Sequence, residues 1–319
     1  MKNTILSTLL LIFSMAISDS HACTSAVISG KITPDRRPLL WKQRDTSSLH
    51  NSVSYFSGEK YNFIAVVNSD TSTPAEVWTG TNSAGFSIMN TQSYNLEEVE
   101  NEEDRGMTNG KVMYRALEIC ATVADFKTFL DPITKPSMIE ANFGVIDAQG
   151  GAAMFEVSYN NYTFFDANQT KDALMGYIAR TNFSFTGKLN TGAGYVRYQQ
   201  EEQKLMPTSA MKSITLAWIF DELSRCFANP ILGIDLKGGS FNQPEGSRWF
   251  VEQDFISRHE SSCSVVVQGV KPGENPDLTT MWTALDYPPV SVALPLWVKM
   301  QTIHSPNWSK HAKRLRHQA

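Results

Sequence analysis

Cys23-Thr24-Ser25-Ala26-Val27-Ile28-Ser29-Gly30 is a β-prone run that ends in a glycine, and Pro34-Asp35 supplies a turn behind it. Pro38-Leu39-Leu40-Trp41-Lys42-Gln43-Arg44-Asp45 then reads as the return strand of a hairpin. Lys42, Arg44 and Asp45 would ordinarily be a solvated strand end. Their neighbour across the hairpin changes that reading, because a cation beside a cysteine sulfur favours thiolate. A carboxylate there is placed to hold an α-amine acting as base for the same thiol.

Upstream, Lys2 gives a positive start and residues 5–17 are apolar apart from small polar residues. Ser18-Asp19-Ser20-His21-Ala22 follows, with Ser20 and Ala22 at the −3 and −1 positions of a cleavage site. This three-part layout predicts a secretory signal over 1–22 and a secreted or periplasmic product. The apolar run is too short to span a bilayer, and no later stretch approaches the length of a transmembrane helix. Cleavage makes Cys23 the first residue, for which there are three readings: half of a disulfide, a lipid anchor, or an N-terminal nucleophile. Lipoprotein signals favour a branched aliphatic residue where this chain has Ser20, which disfavours the anchor.

The whole chain has 319 residues, 42% of them hydrophobic, with 28 basic and 32 acidic side chains and a net charge of −4. The absence of a basic excess argues against nucleic acid as a partner. There is no repeat at a fixed period. Cys23, Cys120, Cys226 and Cys263 stand alone, so neither a metal site nor a CxxC redox centre is expected, and no cofactor is implied. Whether any two of Cys120, Cys226 and Cys263 are bridged is not legible from spacing. His50, His259 and the tail histidines have no Cys-His setting. An α-amine, with a reference pKa of about 7.7 to 8.0, would serve as base with little tuning.

Further along come Gly80-Thr81-Asn82-Ser83-Ala84-Gly85-Phe86-Ser87-Ile88-Met89-Asn90, then Gly144-Val145-Ile146-Asp147 and Phe155-Glu156-Val157. Ala179-Arg180-Thr181-Asn182-Phe183 and Asp254-Phe255-Ile256-Ser257-Arg258 complete the set. In this order, behind Cys-Thr-Ser-Ala-Val, these pieces resemble the N-terminal-nucleophile hydrolases of linear amides. That group includes choloylglycine hydrolases, penicillin V acylases, acid ceramidase-type enzymes and isopenicillin N acyltransferases. The resemblance covers residues 23–295. It implies a four-layer αββα sandwich with two antiparallel sheets, one domain over 23–319, and a small-molecule acyl amide as substrate. It implies Cys23 as nucleophile with its own α-amine as base, and Asp45 as the carboxylate orienting that amine. Lys42 falls where the choloylglycine branch has an arginine, and the basic role could be shared with Arg44. Asn90 and Asn182 fall at the oxyanion donors. Arg258 matches a late arginine buttressing the site, with Ser247-Arg248 as a competing alignment. Asn182 also heads an Asn-Phe-Ser sequon, which conflicts with a buried role.

Elsewhere, strand signals fall at 61–68, 76–79, 86–90, 152–159, 162–166 and 263–270, and helical spacing at 110–121, 123–130 and 213–227. This is a layered α+β pattern. Residues 97–105 read as an acidic loop edging a pocket, and 238–246 as a second loop. Residues 281–283 and 290–297 read as core, with Trp282, Phe183 or Trp78 as alternative walls of an acyl pocket. The basic 307–319 reads as a surface tail. The expected activity is hydrolysis of a linear, non-peptide amide through a thioester. An acyltransferase or dipeptidase of the same fold, or a lipid-anchored binding protein of the envelope, are the alternatives. The particular amide and the oligomeric state are not legible.

Overall fold

The computed structural model describes residues 22–71, 76–96, 107–133, 139–158, 161–237 and 252–300. The leader before residue 22, the 97–105 and 238–246 loops, Arg248 and the 307–319 tail lie outside the described residues. The first hairpin forms as read, from β1 (Ala22–Ile28) and β2 (Leu39–Asp45). Next come β3 (Asn51–Phe56), β4 (Phe63–Asn68), β5 (Thr79–Asn82) and β6 (Ser87–Gln92), then α1 (Asn109–Ile119) and α2 (Val123–Ile133). The chain continues through β7 (Ala141–Ile146), β8 (Ala152–Val157), β9 (Tyr162–Asp166) and β10 (Tyr177–Arg180) to α3 (Tyr195–Ala210). A helical turn α4 (Leu216–Trp218) runs into a π turn at Ile219–Leu223, and β11 (Ala228–Asn229) pairs with β12 (Ile234–Asp235). The last strands are β13 (Ser261–Gln268), β14 (Thr280–Leu285) and β15 (Leu294–Leu296).

Besides the two-stranded β11-β12 ribbon, two large antiparallel sheets result. One runs β10-β1-β2-β13-β14-β15, and the other is the sequential meander β3 to β9. Three apolar cores separate four layers. Val112, Leu117 and Phe126 of α1 and α2 pack on Phe63, Phe143 and Phe155 of the meander. Val27, Leu40, Val265 and Met281 meet Ile64, Met89 and Met154 between the sheets. Leu205, Ile219 and Leu223 pack on Ala26, Trp41 and Val266 at the outer face of the first sheet. The chain therefore has the expected αββα sandwich. Because both sheets are covered on both faces, β1, β2, β7 and β8 are buried at every position and show no alternation of burial.

Several boundaries differ from the expectations. The segment read as a strand at 76–79 instead leads into β5, whose pairing with β4 is set by Gly80 opposite Ala65. A Cβ at Gly80 would stand 2.7 Å from the Ile64 carbonyl oxygen, so only glycine permits this approach. The 213–227 helix is shortened to one turn plus the π turn. Helix α3 was not legible at all, since it buries Arg197, Gln200, Glu201, Thr208 and Ser209 alongside Leu205. In the terminal region, residues 281–283 lie in β14, but Val290 and Val292 are 80% and 71% exposed, so that part of 290–297 is not core.

Candidate active site

Alternation along β2 sorts its charges. Leu40 packs between the sheets and Trp41 against the helices, so Lys42 and Arg44 share the inner face while Asp45 is turned toward the helical layer. Register places Cys23 opposite Arg44, and Arg44 opposite Cys263, so the two thiols flank the guanidinium on one face. The charge cluster read from the sequence is thus divided between the faces of one sheet, and it meets again at the strand end around Cys23.

Cys23, Lys42, Arg44, Asp45 and Asn90 border one cavity of about 490 Å³, with Glu76, Trp78, Gln92, Thr108, Asn109 and Gly110 completing its wall. Lys42 reaches across the inter-sheet space, donating to Asn90 Oδ1 at 2.7 Å and to the Trp78 carbonyl oxygen at 3.0 Å. Burial lowers the pKa of this ammonium, with the Cys23 sulfur opposing. Since Asn90 Oδ1 accepts from Lys42, its Nδ2 is free of hydrogen bonds among the described residues and is available to a substrate carbonyl. Arg44 is held by Asn51 Oδ1, by Asn68 Oδ1 at 2.9 Å, and over the Trp78 ring at 4.8 Å. Burial lowers its pKa as well.

On the other face, Asp45 is fully buried, accepting from Ser261 Oγ at 2.6 Å and pairing with Arg258 Nη2 at 3.0 Å. Burial raises its pKa, and Arg258 is the strongest opposing influence, followed by Arg197. Arg258 thus stands beside Asp45, while Arg248 lies outside the described residues.

Asn182 arrives by a different route. Its Oδ1 accepts from the Cys23 backbone nitrogen at 2.9 Å and from Arg197 Nη2 at 2.7 Å, while Nδ2 donates to the Gln92 carbonyl oxygen at 2.9 Å. It therefore meets Cys23 through its oxygen at the backbone nitrogen, not with its amide group turned to a substrate. The side chain is fully buried, which removes the sequon's conflict in favour of the interior role. Ala22 is still present ahead of Cys23, paired with Asp45, so the nitrogen held here is a peptide nitrogen.

Arg197 was missed by sequence reading. Its Nη1 donates to the Cys23 carbonyl oxygen at 2.6 Å and to Thr24 Oγ1 at 3.0 Å, and Nε donates to the Gln253 carbonyl oxygen at 3.1 Å. Burial, followed by the nearby Arg258, lowers its pKa to about 10. An arginine in a polar helix carries no mark of such a position. Of the candidate aromatic walls, Trp78 borders the cavity. Phe183 instead stacks with Tyr195 at 4.1 Å, and Trp282 packs on the helix-facing core. All four cysteines are free, so Cys120, Cys226 and Cys263 form no bridge. No group of metal-ligating side chains occurs among the described residues.

No family model matches the sequence, and no curated protein matches it. Among solved structures, a mutant of the conjugated bile acid hydrolase from Clostridium perfringens aligns with a TM-score of 0.52 at 12% identity, over 88% of this chain and 93% of that one. Penicillin V acylase from Agrobacterium tumefaciens aligns at 0.47 and 12% identity, over 86% of this chain and 85% of that one. The first of these likenesses establishes the fold, the two-sheet sandwich of the N-terminal-nucleophile hydrolases.

Proposed function

We propose that this chain, built on the N-terminal-nucleophile hydrolase fold, is an exported amidohydrolase of linear, non-peptide acyl amides with Cys23 as its nucleophile. The observation that supports this best is convergence. Cys23, Lys42, Asp45, Asn90, Asn182 and Arg258, chosen from separate parts of the sequence, meet around one residue. In this reading a signal peptidase removes 1–22, and the released α-amine takes the place of the nitrogen now held by Asn182. The amine accepts the thiol proton as sulfur attacks the carbonyl carbon. Asn90 Nδ2 donates to the developing oxyanion, and Lys42 keeps that amide oriented by holding its oxygen. The C–N bond breaks, the amine departs with the proton, and water hydrolyses the thioester to the free acid. Asp45, neutralised by Arg258 and tied to Ser261, supports the amine end of the site.

The test is turnover of a panel of acyl amides by exported protein whose first residue is shown to be Cys23. Cys23→Ala is expected to abolish turnover with an unchanged melting temperature. Retained activity in that variant, or a lipidated Cys23, defeats the proposal. Transfer of the acyl group to an added amine in preference to water marks an acyltransferase, and cleavage confined to dipeptides marks a peptidase.

A further inference from the structure

The Cys23 cavity is bordered by four charged side chains, and three are engaged by the protein itself. Lys42 holds Asn90 and the Trp78 carbonyl, Arg44 holds Asn51 and Asn68, and Asp45 is paired with Arg258 and Ser261. Glu76 is the exception. One of its carboxylate oxygens accepts from the Thr108 hydroxyl, and the other has no hydrogen bond and no ion pair among the described residues. A carboxylate offers about four acceptor positions, so most of this one's capacity faces the cavity unused.

Its position is also fixed. A Cβ at Gly110 would lie 2.6 Å from Glu76 Cβ, so the first turn of α1 closes on this side chain in a way only glycine allows. The Gly110 carbonyl oxygen accepts from Val77 N at 3.3 Å, pinning the backbone just after Glu76. A held, half-buried carboxylate with open acceptor positions is a recognition group for a cation. Lys42 and Arg44, the cations of the same cavity, each already spend two donors on Asn90, the Trp78 carbonyl, Asn51 and Asn68.

Resting on the amidohydrolase reading above, we propose that Glu76 selects the substrate by charge: the site takes acyl amides bearing an ammonium or guanidinium group close to the scissile bond, as in an N-acylated diamine. Two arms of the molecule then have separate receivers. The carbonyl oxygen goes to Asn90 Nδ2, and the positive group goes to Glu76.

The experiment needs no knowledge of the acyl group. Exported protein that begins at Cys23 is treated with three methanethiosulfonate reagents of similar size, carrying an aminoethyl, a hydroxyethyl or a sulfonatoethyl group, and modification of Cys23 is timed by peptide mass. The thiolate forms a mixed disulfide and methanesulfinate leaves. The ratio of the cationic to the neutral rate is expected to be roughly tenfold higher in wild type than in Glu76→Gln, as the loss of one charge unit at a partly shielded site implies. Glu76→Gln should leave the neutral rate within about twofold, and Glu76→Lys should shift the preference further toward the anionic reagent. A purely structural Glu76, serving only the start of α1, would slow all three reagents alike. A ratio that is the same in wild type and Glu76→Gln overturns this inference and leaves the hydrolase reading standing. Failure of every reagent to reach Cys23 overturns both.

Discussion

Arg197 donates to the carbonyl oxygen of Cys23 at 2.6 Å across 174 residues of sequence. Its second terminal nitrogen donates to Asn182 Oδ1, the atom that receives the Cys23 nitrogen. The backbone on both sides of the Cys23 Cα is therefore gripped by one buried guanidinium, directly at the carbonyl and through Asn182 at the nitrogen. In the amidohydrolase reading, Arg197 is a positioning residue that sets the direction of the thiol without touching substrate.

Replacing Arg197 with alanine should thus lower kcat by about 100-fold, the loss that a misplacement of about 1 Å produces, with KM nearly unchanged. Arg197→Lys keeps the charge but not the fork, and an intermediate kcat is expected. Steady-state kinetics alongside thermal melts check this. A kcat within twofold of wild type for Arg197→Ala removes the positioning role.

Asp45 and Arg258 form a pair that is 0% and 1% exposed at the side chains. Asp45→Asn leaves Arg258 without its counter-charge and should cost about 3–5 kcal/mol of stability. Adding Arg258→Met removes the orphaned cation, so the double variant should regain much of that loss while staying inactive. Denaturant unfolding of the three proteins measures it. Equal stability of wild type and the single variant would mean that the pair contributes nothing.

Asn90→Ala should reduce kcat by about 10²–10³, the usual cost of losing an oxyanion donor. Lys42→Met should reduce it less, because Asn90 remains but loses its tether. Burial lowers the Lys42 pKa, so the protonated form that binds Asn90 is lost at a lower pH than for an ordinary lysine. Wild-type kcat should accordingly fall on the alkaline side, and that limb should be missing in Lys42→Met. An alkaline limb of the same midpoint in both proteins contradicts the assignment.

Glu201 in α3 is fully buried, and neither carboxylate oxygen has a hydrogen-bond partner among the described residues. Burial, followed by the neighbouring Glu202, raises its pKa well above the ordinary carboxylate value. The folded chain therefore keeps this proton at a pH where the unfolded chain has released it. Stability should decline as pH rises above about 4.3, by up to about 1.4 kcal/mol per pH unit, until the folded group also ionises. Glu201→Gln should flatten that decline in a series of denaturant titrations that starts near the ordinary carboxylate pKa of about 4.3 and moves upward in pH. Parallel curves for the two proteins would show that Glu201 is ionised in the fold.

Much of this molecule was legible in one dimension because the relevant signals are local. The β1–β2 hairpin follows from two β-prone runs around Pro34-Asp35, and the six candidate site residues sit in short segments of the sequence. Strand limits were less legible where both faces are covered, since β7 and β8 then have no polar face to mark their period. Asn182 could be placed at Cys23 from its segment. That its oxygen faces the Cys23 nitrogen, with its amide spent on Gln92, could not.

The sequence by itself determined the first hairpin, several of the strand segments and the layered class, since these depend on neighbouring residues and on β-periodicity. Tertiary structure alone decided that the Arg44 face of β2 is the one that meets the second sheet, that Arg197 from a polar helix clamps Cys23, and that Glu76 is the cavity carboxylate with an oxygen left open. Those outcomes rest on which buried polar groups find partners across the sandwich. Such partners lie far apart along the chain, and desolvation makes their pairing obligatory only once the layers have closed.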